Sequence, residues 1–177
     1  VSHLFDDILD MSEIESSEMI FEYVSLNCNQ VLKSTYNRLK QRADKKGIEL
    51  VLELSENELV IKTDWMKLEK IVYAIAENAI KYTMQGKVVL RSFVFSKFAY
   101  ITITDTGDGM NQEDIKYLLE PFSQEEQGYT RKYQGAGLGL AIASKLTKMM
   151  GGLFEIVSRK QTGTKVTLIF PVVKINS

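Results

Sequence analysis

The stretch that decides the fold of this chain is Asp105-Thr106-Gly107-Asp108-Gly109-Met110. It follows Ile101-Thr102-Ile103-Thr104, whose alternating apolar residues predict a strand. An ionised carboxylate only accepts hydrogen bonds, so Asp105 suits an exocyclic amino group such as adenine N6. Gly107 and Gly109 would let the backbone approach a flat base. Taken alone, a turn of Asp, Thr and Gly after a strand explains the stretch equally well.

A second signature lies upstream, on a segment with the apolar spacing of a helix, and reads Ala76-Glu77-Asn78-Ala79-Ile80-Lys81-Tyr82-Thr83. The amide oxygen of Asn78 could ligate a magnesium ion that phosphate oxygens and water mainly hold. Lys81 shares that helix face and could reach the same phosphates, and the ring of Tyr82 could lie beside the base or ribose. The alternative is a polar residue facing solvent beside an exposed lysine.

A third signature lies downstream and reads Gly135-Ala136-Gly137-Leu138-Gly139-Leu140-Ala141-Ile142. Free N–H groups and the helix dipole at a loop-to-helix junction favour phosphate binding. The stretch is not a Rossmann fingerprint, because Leu140 takes the place of a residue that the fingerprint requires, and the chain has no P-loop sequence. One glycine-rich turn could be a flexible joint, but all three signatures in this order indicate a nucleotide site.

Composition indicates one main globular domain, since 177 residues are 45% hydrophobic and 25% charged. Lys and Arg total 22 against 23 Asp and Glu, which argues against a broad nucleic-acid-binding surface. The single Cys28 and single His3 cannot form an intrachain disulfide or a zinc cage. The single cysteine fits a reducing setting, so we expect a cytoplasmic domain. No apolar run approaches the roughly 18 residues of a membrane span. A start without Met indicates a piece of something longer.

Periodicity predicts an α+β protein with about five strands and four or five helices. Helices are expected over about fifteen residues from Val1, ended by Ser16 and Ser17, and over 28–45 up to Gly47, 64–83 with Asp64 as the N-cap, 112–119 and 137–150. Strands are expected near 21–24, 48–54, 87–95 and 100–104, with a closing hairpin of 154–157 and 165–170. The polar stretch Ser123 to Gln134 has no periodicity, which predicts a functional or mobile loop. The first helix is short, so we expect it to pack on a partner helix that is missing or supplied by another chain.

In this order the motifs resemble the nucleotide-binding domain of sensor histidine kinases, within the superfamily that also holds gyrase, Hsp90 and MutL. Residues 78–83 look like the N box of that family, 105–109 its first glycine box, 120–123 its F box and 135–140 its second glycine box. Gly163-Thr164 extends the match to the last strand. The resemblance implies a two-layer α/β sandwich of the Bergerat type, with a mixed sheet packed on helices and ATP held under a mobile lid.

The resemblance also implies roles for individual residues. Asp105 would take adenine N6 with support from Thr164, and Asn78 would hold Mg²⁺. Lys81 and the second glycine box would hold phosphates, and Ser123 to Gln134 would be the lid. The complete ATP-binding set that it implies is Asn78, Lys81, Tyr82, Asp105, Gly107, Gly109, Met110, Phe122, Arg131, Lys132, Gly135, Gly137, Leu138, Gly139, Leu140 and Thr164.

His3, Ala74 and Ala136, which stands where Thr or Ser is common, depart from the family pattern. His3 is followed by Leu4-Phe5-Asp6, whereas the family acceptor precedes an acidic residue and an Arg-Thr-Pro-like run. We therefore expect ATP binding without autophosphorylation. Ala74 stands four residues before Asn78, where gyrase-like hydrolases place a catalytic Glu, and it cannot act as a base. Glu77 points elsewhere on the helix.

These expectations describe the ATP-binding catalytic domain of a sensor histidine kinase (18–177), preceded by the end of its dimerisation and phosphoacceptor hairpin (1–17). The γ-phosphoryl would pass to a histidine outside this chain and then to a response regulator receiver domain. We expect a homodimer for the full-length protein, a monomer for this piece and no nucleic-acid partner; a membrane anchor elsewhere is left open. The alternatives are a degenerate nucleotide-binding regulatory module, a gyrase- or Hsp90-like ATPase clamp, and a homodimeric aspartic protease with Asp105-Thr106-Gly107 as its signature.

Overall fold

The computed structural model describes residues 2–16, 19–120 and 137–174. Within these ranges it has five helices: α1 Ser2–Ser16, α2 Cys28–Lys46, α3 Trp65–Tyr82, α4 Gln112–Leu119 and α5 Gly137–Met149. Seven strands accompany them: β1 Tyr23–Asn27, β2 Glu49–Glu53, β3 Val60–Asp64, β4 Lys87–Phe95, β5 Phe98–Asp105, β6 Leu153–Arg159 and β7 Gly163–Lys174. None of these helices is long and apolar enough to cross a membrane.

The strands form one mixed sheet in the order β1-β3-β7-β5-β4-β2, and β6 pairs with the first part of β7. The pair β2 and β4 is parallel, whereas the other pairs are antiparallel. Alternate residues of β5, such as Ala99, Ile101 and Ile103, are buried. Helices α2, α3 and α5 contact strands of this sheet, which gives the predicted two-layer α/β sandwich. The α+β class is therefore confirmed.

A side-chain cap fixes the start of α3, and a backbone cap fixes the end of α2. Asp64 precedes α3 and its carboxylate accepts from the Lys67 amide at 3.0 Å, so the predicted N-cap is confirmed. Gly47 ends α2 in the left-handed conformation, with a φ of 80°, and its amide bonds back to the last turn. These caps determine where α3 begins and where α2 ends before β2.

The prediction of about five strands is too low, because β3 was not anticipated and the strands number seven in the described ranges. Its apolar residues Val60 and Ile61 are adjacent and are followed by Lys62-Thr63-Asp64, so no alternation marks a strand. The segment is extended because it pairs with all of β1 and with the end of β7. This pairing partner is distant in sequence, and a local pattern cannot show it.

Helix α1 forms where the sequence predicts a helix, and its C-terminal part packs on α3 and α5 of this chain. Met11 is 4% exposed and belongs to the core, and the Lys145 ammonium of α5 lies 3.9 Å from its sulfur. Asp10 forms an ion pair with Lys70 of α3. The periodicity of α1 shows that it has an apolar stripe, but it cannot show which surface covers that stripe.

Candidate nucleotide-binding site

A cavity of about 690 Å³, including the part open to solvent, lies between α3, the end of β5, α4, α5 and the β6–β7 hairpin. All three signatures of the sequence contribute to its lining, together with residues outside them: Ile75, Asn78, Ala79, Tyr82, Ile103, Asp105, Asp108, Gly109, Met110, Leu118, Leu140, Ile156, Thr164 and Val166. The fold thus brings Asn78, Tyr82, Asp105, Gly109, Met110, Leu140 and Thr164 of the expected set to one cavity.

Asp105 ends β5 and pairs in register with Thr164 of β7. Its Oδ1 accepts from the Gly107 amide at 2.9 Å and from the Thr164 amide at 3.2 Å. Burial raises the pKa of the Asp105 carboxyl above its ordinary value, and the two amide hydrogen bonds counteract part of that rise. Among the described residues no group donates to Oδ2, so one carboxylate oxygen is left for a ligand in the cavity.

Two glycines let this region pack backbone against backbone. Gly109 has a φ of +68°, and a Cβ there would lie 1.9 Å from the carbonyl oxygen of Arg159. Gly163 has a φ of +128°, and a Cβ there would lie 2.0 Å from the carbonyl oxygen of Asp105. The Gln161 amide also donates to the Asp108 carbonyl at 2.6 Å. The turn between β6 and β7 is therefore joined directly to the first glycine box.

The phosphate end of the site is marked by Asn78 and the start of α5. Asn78 is half-buried on α3, and its Nδ2 lies 3.6 Å from where a Cβ on Gly139 would stand. No group of three His, Cys, Asp or Glu side chains clusters as a metal site within the described residues. A side-chain amide oxygen is an acceptable Mg²⁺ ligand, so Asn78 could supply one oxygen to an ion that phosphate oxygens and water mainly hold.

The last turn of α3 places Tyr82 and Lys81 differently. Tyr82 lines the cavity, whereas Lys81 is exposed, does not line it, and holds its ammonium 5.4 Å from the centre of the Tyr82 ring. Lys46 of α2 donates to the Ile80 and Lys81 carbonyl oxygens, each at 2.7 Å. This lysine closes the C-terminal end of α3 and so holds the turn that carries Lys81 and Tyr82.

Several expected site residues do not line the cavity or lie outside the described residues. Gly107 supports Asp105 through its amide, and a Cβ there would lie 2.7 Å from the Tyr82 carbonyl oxygen. Gly137 begins α5 as predicted, and Leu138 follows it in the first turn. The remaining expectations lie outside the described residues: Phe122, Arg131, Lys132, Gly135 and the lid Ser123 to Gln134.

The apolar walls of the cavity and one hydroxyl beside it were not predicted from the sequence. Ile75 lies one turn before Asn78 on α3, and Ile103 lies two residues before Asp105 on β5, so periodicity from the known residues could have found both. The missed hydroxyl is Ser158, which pairs in register with Thr164, and their oxygens are 2.7 Å apart. No sequence signal marked Ser158, because a serine just after the predicted strand 154–157 has no distinguishing chemistry of its own.

The positions that could supply a hydrolytic base do not do so. Ala74 lines a small apolar cleft between α3 and α5 together with Gly139, and its methyl group has no basic atom. Glu77 forms an ion pair with Arg42 of α2 at 3.2 Å. Its carboxylate is thus directed toward α2, which agrees with the expectation that it points away from the nucleotide.

Comparison with known proteins agrees with this site. Residues 63–174 match the family model described as histidine kinase-, DNA gyrase B-, and HSP90-like ATPase. The chain is 33% identical over 174 residues to the non-motile and phage-resistance protein of Caulobacter vibrioides, covering 96% of this chain and 20% of that protein. It is 31% identical over 176 residues to the autoinducer 2 sensor kinase/phosphatase LuxQ of Vibrio parahaemolyticus, again covering 96% and 20%.

Among solved structures, full-length ShkA in complex with AMPPNP has a TM-score of 0.84 and 26% sequence identity, covering 99% of this chain and 36% of that one. The chain spans about a fifth of the length of the sequence relatives that it matches. An aspartic protease is no longer needed to explain Asp105-Thr106-Gly107, because this stretch lies inside the family match. The chain belongs to the histidine kinase-, DNA gyrase B-, and HSP90-like ATPase family, as an ATP-binding domain of the sensor histidine kinase type.

Proposed function

We propose that this chain donates the γ-phosphoryl group of ATP to a histidine outside its own sequence, as the catalytic portion of a two-component sensor histidine kinase. One observation carries the proposal: Asn78, Asp105 and Leu140, one from each of the three signatures, line the same cavity. The relative ShkA was solved with AMPPNP, an ATP analogue, which supports a nucleotide in this chain as well.

The adenine end of the cavity is apolar with a polar floor. Ile75, Ala79, Ile103 and Val166 supply walls that can contact both faces of a flat base. The unpartnered Oδ2 of Asp105 would accept from the 6-amino group, a charge-assisted hydrogen bond. Burial of the carboxylate makes this contact stronger than it would be in water, because few water molecules compete for it.

The phosphate end depends on Asn78, Lys81 and the first turn of α5. The amides of that turn, with the helix dipole, would hold phosphate oxygens, and Lys81 would reach them after leaving the ring of Tyr82. Asn78 would hold a magnesium ion, which when bound neutralises charge on the phosphates. Gly139 of the second glycine box lies close to Asn78 of the N box. Residues of both motifs would therefore contact the same phosphates.

The transfer step needs positioning more than acid–base chemistry. A nitrogen of the acceptor imidazole would attack the γ-phosphorus, forming the N–P bond while the bond from phosphorus to the bridging oxygen breaks and ADP leaves. Ala74 offers no base for water, and the Glu77 carboxylate is paired with Arg42. The site therefore favours transfer to a delivered histidine over hydrolysis.

The partners follow from this chemistry. The acceptor would lie on the dimerisation hairpin of the same kinase, whose last helix would include residues 1–17, and residues 18–177 would be the catalytic domain. The phosphoryl group would then move to an aspartate of a response regulator receiver domain. We propose a cytoplasmic location for the domain, a homodimer for the full-length kinase and a monomer for this piece.

A transfer assay tests the proposal. The chain is mixed with Mg²⁺, γ-labelled ATP and the acceptor hairpin of the same kinase, and label on the hairpin is followed with time. We expect label to accumulate with the unaltered chain and to fall at least tenfold with Asn78→Ala. Glu77→Gln is the matched control on the next residue, and it should leave the rate unchanged because that carboxylate faces Arg42.

The outcomes separate the candidate functions. Steady phosphate release without the hairpin would support an ATPase clamp. Nucleotide binding with neither label transfer nor phosphate release would support a regulatory module. Calorimetry that detects no binding of Mg-ATP and no competition by ADP would exclude a nucleotide site altogether.

A further inference from the structure

We propose that Ser158 is a positioning residue that makes the site select a 6-amino purine over a 6-oxo purine. The inference rests on the proposed nucleotide site, and it assigns a role to a residue outside the family motifs described above. Ser158 does not line the cavity, so it acts through Thr164, which does. The two residues face each other across the β6–β7 pair.

Ser158 is the centre of a small hydrogen-bond network. Its Oγ accepts from the Met110 amide at 2.7 Å, lies 3.1 Å from the Gly163 carbonyl oxygen and lies 2.7 Å from Thr164 Oγ1. The Met110 amide belongs to the first glycine box, and Gly163 and Thr164 begin β7. One hydroxyl thus connects both backbone segments that frame the floor of the cavity.

Counting hydrogens gives the direction of each bond. A hydroxyl has one hydrogen and two lone pairs. All three contacts become hydrogen bonds when Ser158 donates to the Gly163 carbonyl and accepts from both the Met110 amide and the Thr164 hydroxyl. If Ser158 donated to Thr164 instead, the 3.1 Å contact between two acceptor oxygens, at Ser158 and Gly163, would have no hydrogen. The network therefore turns the hydrogen of Thr164 away from the cavity.

The cavity then presents two acceptors side by side. The ionised Asp105 offers Oδ2, and Thr164 Oγ1 offers its lone pairs, directly or through a water molecule. The two residues pair in register, and the Thr164 amide donates to the other oxygen of Asp105. An amino group at position 6 of a purine has two hydrogens for such acceptors, whereas a 6-oxo group would place a third acceptor against them.

Replacing Ser158 should change selectivity more than general affinity. In Ser158→Ala, the Thr164 hydroxyl loses its acceptor and can rotate to donate into the cavity, where it would meet a 6-oxo group favourably. The discrimination lost is about that of one neutral hydrogen bond, or roughly tenfold. Ser158→Thr keeps the hydroxyl and serves as the conservative control.

Titration calorimetry with Mg-ATP and Mg-ITP tests this, since the two nucleotides differ at position 6 of the base. For the unaltered chain we expect ATP to bind more tightly than ITP. In Ser158→Ala the ratio of the ITP to the ATP dissociation constant should fall about tenfold, and Ser158→Thr should retain most of it. Thr164→Val removes the hydroxyl acceptor from the cavity and leaves Ser158 and Met110 in place, so the ratio of the ITP to the ATP dissociation constant should fall in this variant as well. It provides the measurement if Ser158→Ala does not fold.

The results separate this inference from the proposed function. If the unaltered chain binds neither nucleotide, the proposed function fails, and the inference fails with it. If ATP binds but Ser158→Ala weakens ATP and ITP equally, Ser158 is only structural and the inference is wrong. An unchanged ratio in Thr164→Val would also overturn it, whereas a reduced ratio with conserved folding supports it.

Discussion

At the residue scale, the ionised form of Asp105 is unfavourable for the stability of the folded protein but is the form that nucleotide binding needs. Its burial raises the pKa of the carboxyl, which means that the folded protein disfavours the ionised form that a nucleotide amino group needs. The Gly107 and Thr164 amides, which both donate to Oδ1, offset only part of this cost. A group that is costly to the free protein and useful to a ligand is typical of a binding site.

We predict that Asp105→Asn weakens Mg-ATP binding by roughly 1.5–3 kcal/mol, the scale of a charge-assisted hydrogen bond. The asparagine oxygen can still accept from the two amides, but its NH₂ group would face the amino group of the base. Calorimetric titration measures the loss. Binding equal to that of the unaltered chain would contradict the assignment of Asp105 to the base.

The same substitution should raise the free energy of unfolding in a pH-dependent way. Below the pKa of an unfolded aspartate, about 3.9, both folded and unfolded states hold the proton and the two variants should be similar. As the pH rises toward the higher pKa of folded Asp105, the unfolded state loses its proton first, so the unaltered chain loses stability. The advantage of Asp105→Asn should therefore grow with pH and then level off. Urea denaturation of both variants at a series of pH values measures it, and a gap independent of pH would contradict the raised pKa.

The site residues that could be predicted from the sequence share one property: each has a side chain suited to contact a nucleotide and occupies a fixed position in a motif. Asn78, Asp105 and Thr164 could be found in this way, and all three line the cavity. Ser158 could not, because a serine near the end of a strand has no distinguishing chemistry until the fold brings Met110 and Thr164 to its oxygen. Residues that act through others become visible only with the tertiary structure.

At the element scale, the contact between the first glycine box and the β6–β7 turn leaves no room for a side chain. We predict that Gly109→Ala costs more than about 3 kcal/mol and disrupts the cavity, since its Cβ would overlap the Arg159 carbonyl oxygen at 1.9 Å. Gly151→Ala is the matched control, because Gly151 also has a left-handed φ, +82°, but nothing within 4 Å of a Cβ. It should cost only about 1–2 kcal/mol.

Thermal or urea denaturation compares the two glycine variants with the unaltered chain. Equal losses of unfolding free energy would mean that the left-handed backbone conformation alone explains the cost of Gly109→Ala. The packing of the β6–β7 turn on the first glycine box would then contribute nothing to that cost. Nucleotide binding is a second measurement that distinguishes the two variants. Gly109→Ala should weaken it by disrupting the cavity, whereas Gly151 lies after α5 and outside the cavity lining.

Elements with local signals were predictable, and an element held by distant pairing was not. Asp64 and Gly47 carry the chemistry of helix caps, so the start of α3 and the end of α2 follow from the sequence. Strand β3 has no such signal and exists through its ladders with β1 and β7. The same limit applies to α1, whose stripe was visible but whose partner surface on α5 was not.

At the scale of the whole molecule, α1, the proposed end of the hairpin, packs on helices α3 and α5. Met11 is buried against α5, and the Asp10–Lys70 ion pair joins α1 to α3, the helix that carries Asn78. Lys70 and Gly139 also line the same small cleft between α3 and α5. The helix that would lead to the phosphoacceptor thus contacts both helices that frame the phosphate end of the site.

We predict that Met11→Ala lowers the free energy of unfolding by about 2–3 kcal/mol, because it removes a buried side chain from the contact of α1 with α5. Leu9→Ala is the matched control on the same helix, since Leu9 is 48% exposed and its loss should cost less than about 0.5 kcal/mol.

Cys28 provides a second readout of the same variants: it is fully buried, and burial raises the pKa of its thiol to about 12. Its labelling by a thiol reagent therefore requires opening of the fold, so Met11→Ala should accelerate labelling if α1 and the core open together. Equal labelling rates in the two variants would show instead that α1 detaches without loosening the catalytic domain.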